Sequence, residues 1–119
     1  MAKHAIAATQ QVVLNLIINA LDAVERSGHP RIELRTRTLD GKVLLDIADN
    51  GHGIAPEHRR RLFEPFFTTK PVGKGTGLGL CISYSLVKQH GGDIVVESEV
   101  GRGTKFIIRL PAVPARAVV

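Results

Sequence analysis

Tryptophan is absent, tyrosine and cysteine occur once each, and aromatic residues make up 4% of the 119-residue chain. Without interleaved aromatics the chain lacks the stacking platform on which single-stranded nucleic acid is held. The lone Cys81 excludes an intrachain disulfide and a cysteine-based zinc cluster, and it fits a reducing compartment. Long apolar runs are missing too. The greasiest stretch, VVLNLIINALDAV (12–24), is interrupted by Asn15, Asn19 and Asp22, well short of the ~20 apolar residues of a membrane-spanning helix. The opening MAKHAIAATQQ has no apolar core of the secretory-signal kind. Acidic residues are in deficit, and the formal charge is +5. Such a balance suits an anionic partner, a nucleotide among them, or simply a solvated surface.

At 44% hydrophobic residues and this length, the chain is expected to form one domain with a core of its own. Apolar positions at helical spacing predict a helix over 8–26, closed by Ser27-Gly28-His29-Pro30. RIELRTRT (31–38) alternates, with Ile32, Leu34, Thr36 and Thr38 on the inner side of a half-buried strand. Asp40-Gly41 is a hairpin turn, and KVLLDIAD (42–49) is the antiparallel partner with Val43, Leu45, Ile47 and Asp49 inward. A short helix is expected over 56–62, a functional loop over 63–77, and a second helix over 78–90. DIVVESE (93–99) and TKFIIRL (104–110) make a second strand pair, and a tail from Pro111 is expected to fray. This order predicts a two-layer α/β sandwich, its mixed, mostly antiparallel sheet covered on one face by helices.

Three features carry chemistry. On the first helix Gln11, Asn15, Asn19 and Asp22 fall in one arc, and nearly every other direction is apolar. A solvent face usually carries Lys, Glu and Arg; this one carries short amides. An unpartnered buried amide costs about 1–3 kcal/mol, so a ligand, metal or water is expected to satisfy this pair. An amide oxygen is also a hard donor suited to Mg²⁺. Asp49 ends a strand on the core-facing parity, and a buried carboxylate needs donors, such as the amino group of adenine. The glycines of DNGHG (49–53) are expected to let a ligand approach the backbone. Thr104 shares the inward parity of Phe106 and Ile108, which places a second small polar group beside a base-binding pocket. Finally, GKGTGLGL (73–80) runs into a helix without matching a Walker A or Gly-x-Gly-x-x-Gly pattern. Its Gly75, Gly77 and Gly79 offer backbone N–H groups to phosphate, with Lys70 and Lys74 nearby.

These segments together resemble the ATP-binding catalytic domain of bacterial sensor histidine kinases, in the superfamily shared with gyrase and MutL and built on the Bergerat-type fold. The resemblance covers about 8–110. QQVVLNLIINALDA is similar to the N box, DNGHG to the G1 box, FEPFF to the F box, GKGTGLGL to the G2 box, and Gly101-Arg102-Gly103-Thr104 to the closing glycine–threonine motif. It implies Mg²⁺ on Asn19, with Asn15 helping at the phosphates. It implies adenine on Asp49, with Gly51, Gly53, Ile54 and Thr104 beside the base. A lid over 63–77 and Gly75, Thr76, Gly77, Leu78, Gly79 and Leu80 would embrace the phosphates, with Lys70 supporting the γ-phosphate.

Two departures from the pattern stand out. Asp22 occupies a position where many members carry a basic residue. No histidine here resembles the phosphoacceptor: His4 is followed by Ala5-Ile6-Ala7, and His29, His52, His58 and His90 read as structural or surface residues. The resemblance therefore implies a protein-histidine kinase catalytic domain, excised from a longer protein, that binds Mg²⁺–ATP and passes phosphate to a histidine on a separate dimerisation domain. A response regulator would act downstream, and the domain itself would contact neither nucleic acid nor membrane. A cytoplasmic location is implied, whether the parent is soluble or membrane-anchored. Micromolar affinity, on the order of −7 to −8 kcal/mol, is expected for the nucleotide. The rival readings are an ATPase or serine-directed kinase of the superfamily, or a nucleotide-sensing binding module. Asn15 disfavours the first, because those relatives usually have Glu four residues before the metal-binding Asn.

Overall fold

The computed structural model describes residues 2–68 and 79–112, with side chains from Ala7 onward. Its elements are α1 (Ala2–Ala23), β1 (Ile32–Leu39), β2 (Lys42–Asp49), α2 (Pro56–Arg59), α3 (Gly79–Gln89), β3 (Asp93–Glu99) and β4 (Gly103–Pro111). The strands form one sheet in the order β1-β2-β4-β3. All three pairings are antiparallel, so the sheet described carries none of the expected mixed character. The β1–β2 hairpin closes on Asp40 and Gly41 with φ of 51° and 75°, the left-handed pair that a two-residue turn requires.

The helices α1 and α3 pack on each other and on one face of the sheet. Val12 and Leu16 of α1, Val87 of α3, Ile47 of β2, Ile94 of β3 and Phe106 and Ile108 of β4 make the core, with Leu62 beside them. Strand alternation explains which residues enter it: Ile47, Phe106 and Ile108 point to the helices on neighbouring strands. Two-layer packing is what these amphipathic elements need to hide their apolar faces.

Several expectations shift. The first helix ends at Ala23 rather than 26. The Ala23 carbonyl accepts the His52 N–H, while the Ser27 N–H turns to the Val24 carbonyl, so the helical ladder stops there. The helix expected over 56–62, α2, is also shortened: beyond Arg59 the bonds from Arg61 to His58 and from Leu62 to Arg59 are turn-like, i to i−3. β1 is exposed rather than half-buried, with Leu34 at 51%, because α1 lies over β2 and β4 and α3 over β3. Pro111 belongs to β4, and the Ala112 N–H donates to the Gly41 carbonyl, so the tail begins later than expected; 113–119 lie outside the described residues. On the sheet's other face Leu44, Asp46 and Ile107 are buried as well. The Arg37 guanidinium grips Asp46 with Nε to Oδ2 at 3.1 Å and Nη2 to Oδ1 at 3.4 Å. Leu44 and Asp46 lie outside the inward set that alternation names on β2, so their burial is not legible from it.

Candidate nucleotide site

The polar stripe of α1 splits into two kinds of amide. Asn15 has protein partners: Gln11 Nε2 donates to its Oδ1 at 2.9 Å, and its Nδ2 donates to the Gly79 carbonyl at 3.3 Å and to Ser83 Oγ at 3.2 Å. Ser83 is wholly buried and donates to the same carbonyl at 2.9 Å. Asn15, Ser83 and Gly79 thus clasp α1 to the first turn of α3. The expectation that both amides await a ligand therefore changes for Asn15. Asn19, one turn further on, is half-buried and has no hydrogen-bond partner among the described residues.

Asp49 sits at the end of β2, opposite Thr104 at the start of β4. Its Oδ1 accepts the Gly51 N–H at 2.8 Å. Partial burial raises its pKa above the usual carboxylate value; the backbone N–H groups of Gly51 and Thr104 and the charge of His52 pull the other way without cancelling the rise. Thr104 is buried, and its hydroxyl lies 2.8 Å from Ser98 Oγ. Ser98 donates to the Gly103 carbonyl at 2.9 Å and accepts the Ile54 N–H at 2.8 Å. With the one Ser98 proton committed, Thr104 is the donor in their contact and keeps its lone pairs for another partner.

DNGHG is shaped by chain packing. A side chain at Gly51 would run into the Ala23 carbonyl, and one at Gly53, whose φ is 77°, into the Glu99 carbonyl. These glycines let the segment press between α1 and the β3–β4 turn, a different reason from the expected room for a ligand. The consequence is the same site: Asp49 is fixed beside the C-terminal end of α1. Ile54 and Leu80 pack on the core from either side, and Gly79 opens α3. Lys70, Gly75, Thr76, Gly77 and Leu78, with Lys74, lie outside the described residues. Before that segment, Phe63 stacks on Tyr84 of α3 at 4.9 Å and Arg61 lies 4.5 Å over the Phe67 ring. Two contributors were missed from sequence, Ser83 and Ser98. Their signals were present: Ser83 lies four residues after Gly79, and Ser98 is the cross-strand partner of Thr104.

Among the described residues no group of three or more His, Cys, Asp or Glu could hold a metal ion. A cation held by the Asn19 amide would have to keep most of its waters or take its remaining positions from a ligand, as Mg²⁺ can.

Comparison with known proteins places the chain in a family. Residues 5–114 match the family described as histidine kinase-, DNA gyrase B-, and HSP90-like ATPase. The sensor kinase CckA of Brucella abortus is 44% identical over 117 residues, covering 86% of this chain and 12% of its own. The two-component sensor PprA of Pseudomonas aeruginosa is 46% identical over 116 residues, covering 91% and 12%. The chain thus spans about an eighth of the length of these curated relatives. Among solved structures, the mycobacterial sensor histidine kinase MprB superposes with a TM-score of 0.78 at 34% identity, over 91% of this chain and 72% of that one. Full-length ShkA, solved in complex with AMPPNP, gives 0.76 at 35% identity, over 91% and 22%. With the four-stranded fold, the match of nearly the whole chain and these identities together, the chain belongs to the histidine kinase-, DNA gyrase B- and HSP90-like ATPase family, as a catalytic domain of the sensor histidine kinase kind.

Proposed function

We propose that this domain binds Mg²⁺–ATP and donates the γ-phosphoryl group to a histidine on a separate dimerisation domain of its parent kinase, with a response regulator downstream. The observation that carries the reading is the convergence of three groups. Asp49, a carboxylate with lone pairs left over, lies opposite Thr104, and the unpartnered amide of Asn19 is on the adjoining helix. Asp49 accepts from the adenine amino group, and the Thr104 hydroxyl lies at the same edge of the base. Asn19 holds Mg²⁺, which when bound neutralises charge on the phosphate oxygens. Asn15 sits one turn behind and holds α1 against α3; Gly79 marks where the glycine segment meets the helix, and the backbone N–H groups of 75–79 would face phosphate. Lys70 would support the γ-phosphate.

Phosphoryl transfer asks the protein for position and charge rather than covalent help. The nucleophilic imidazole would come from the partner domain. Transfer of labelled γ-phosphate from ATP to a supplied histidine-bearing hairpin of the parent kinase tests this reading. Labelling that requires both this chain and the hairpin histidine supports it. ATP binding without labelling would instead favour a nucleotide-sensing module.

A further inference from the structure

The hydroxyl of Ser98 on β3 has no bonding capacity left over. It accepts the Ile54 N–H at 2.8 Å, donates to the Gly103 carbonyl at 2.9 Å and lies 2.8 Å from Thr104 Oγ1. A serine hydroxyl has one proton and two lone pairs. A carbonyl can only accept and an amide N–H can only donate, so the proton and one lone pair are assigned. The second lone pair faces Thr104, whose own proton fills it. Thr104 Oγ1 is left with lone pairs and no proton, and its side chain has no other hydrogen bond among the described residues.

Register places this hydroxyl pair beside the carboxylate of the site. Thr104 is the cross-strand partner of Ser98 on β3 and of Asp49 on β2. The three side chains stand in one row across the sheet, on the side that carries the helices, with Thr104 in the middle and about 5 Å between neighbours. A ligand that touches the end of this row meets two acceptors side by side, the Asp49 carboxylate and the Thr104 hydroxyl oxygen. An exocyclic amino group has two N–H bonds to offer them. A carbonyl at the same ring position has none, and it sets a partial negative charge against both.

We propose that Ser98 is a positioning residue for base recognition. By taking the Thr104 proton it holds that hydroxyl as an acceptor beside Asp49, and so makes the site select a purine with an amino group over one with a carbonyl at the same position. The proposal rests on the ATP reading, and Ser98 acts in it through Thr104. The test is calorimetric titration of the full chain, in Mg²⁺, with ATP and with ITP, whose base carries a carbonyl where adenine has its amino group. The parent is expected to bind ITP at least about thirtyfold more weakly. In Ser98→Ala the Thr104 proton is free to turn to the ligand, so ATP weakens, ITP gains relative to it, and the preference falls at least about fivefold. Ser98→Thr, which keeps a hydroxyl, is expected to retain the parent's preference. Thr104→Val is expected to lower the preference as Ser98→Ala does, and the double variant to lower it no further. Both nucleotides weakened alike in Ser98→Ala, with the preference intact, would make Ser98 merely structural and overturn the proposal. Should Ser98→Ala not fold, an intact preference in Thr104→Val overturns it equally. ATP uptake by the parent with no preference over ITP would overturn the proposal and leave the nucleotide reading standing. A folded parent that takes up neither nucleotide would sink both.

Discussion

Removing Ser83 Oγ from the clasp between α1 and α3 gives a worked test of how the helices are held. Ser83→Ala deletes the bond to the Gly79 carbonyl at 2.9 Å and the acceptor for Asn15 Nδ2 at 3.2 Å, at a wholly buried position. Two neutral hydrogen bonds at about 0.5–1.5 kcal/mol each predict a loss of about 1–3 kcal/mol. The better helix propensity of alanine returns about 0.5 kcal/mol, so the net expectation is a loss of about 0.5–2.5 kcal/mol. At an m-value of about 1.5–2 kcal/mol/M, a loss near 1.5 kcal/mol moves the urea midpoint down by about 0.75–1 M. Asn15→Ala, at a half-exposed position where water replaces part of what is lost, is expected to cost less. The double variant isolates the clasp: the two losses are expected to fall short of additivity by about 0.5–1.5 kcal/mol, because each single change already breaks the shared bond. Singles that add to within ~0.3 kcal/mol, or a Ser83→Ala chain as stable as the parent, would refute the clasp.

Other consequences follow from the same geometry. Asp49 has a raised pKa in the folded chain, so folding favours its protonated form and the stability it allows is lost as pH rises through that value. Asp49→Asn, which cannot ionise, is therefore expected to gain stability relative to the parent between pH 3 and pH 7 in urea titrations while losing nucleotide binding; a constant difference across that range would contradict the raised value. Gly53→Ala meets both a φ of 77° and the Glu99 carbonyl, so a loss of about 1–3 kcal/mol is expected in the same assay. Leu34→Thr, on the uncovered edge strand, is expected to stay within about 0.5 kcal/mol of the parent; a core-sized loss would mean that β1 is packed.

Periodicity made most of the fold legible. Lys42–Asp49 and Asp93–Glu99 have the bounds that alternation predicts, and Asp40-Gly41 makes the turn that its residue types demand. Helix ends were less legible because they are set by tertiary bonds: the His52 N–H that takes the Ala23 carbonyl comes from a segment remote in sequence. The burial of Asp46 was hidden for a similar reason, since the Arg37 side chain that covers it reads as a water-facing charge until the strands are paired. At the site, Asp49 and Thr104 were brought together by register, and parity alone had placed both inward. The roles of the two amides did not follow from the stripe: whether Asn15 or Asn19 is left unpartnered depends on which one faces Ser83 of α3.

The pocket itself is tested most directly by calorimetric titration of AMPPNP, with and without Mg²⁺, into the parent chain, Asn19→Ala and Asp49→Asn. A Mg²⁺–ATP site requires micromolar binding to the parent that strengthens with Mg²⁺, keeps its metal-free component in Asn19→Ala but loses the Mg²⁺ enhancement, and vanishes in Asp49→Asn. Undiminished binding in Asp49→Asn, or none in a folded parent chain, would contradict it.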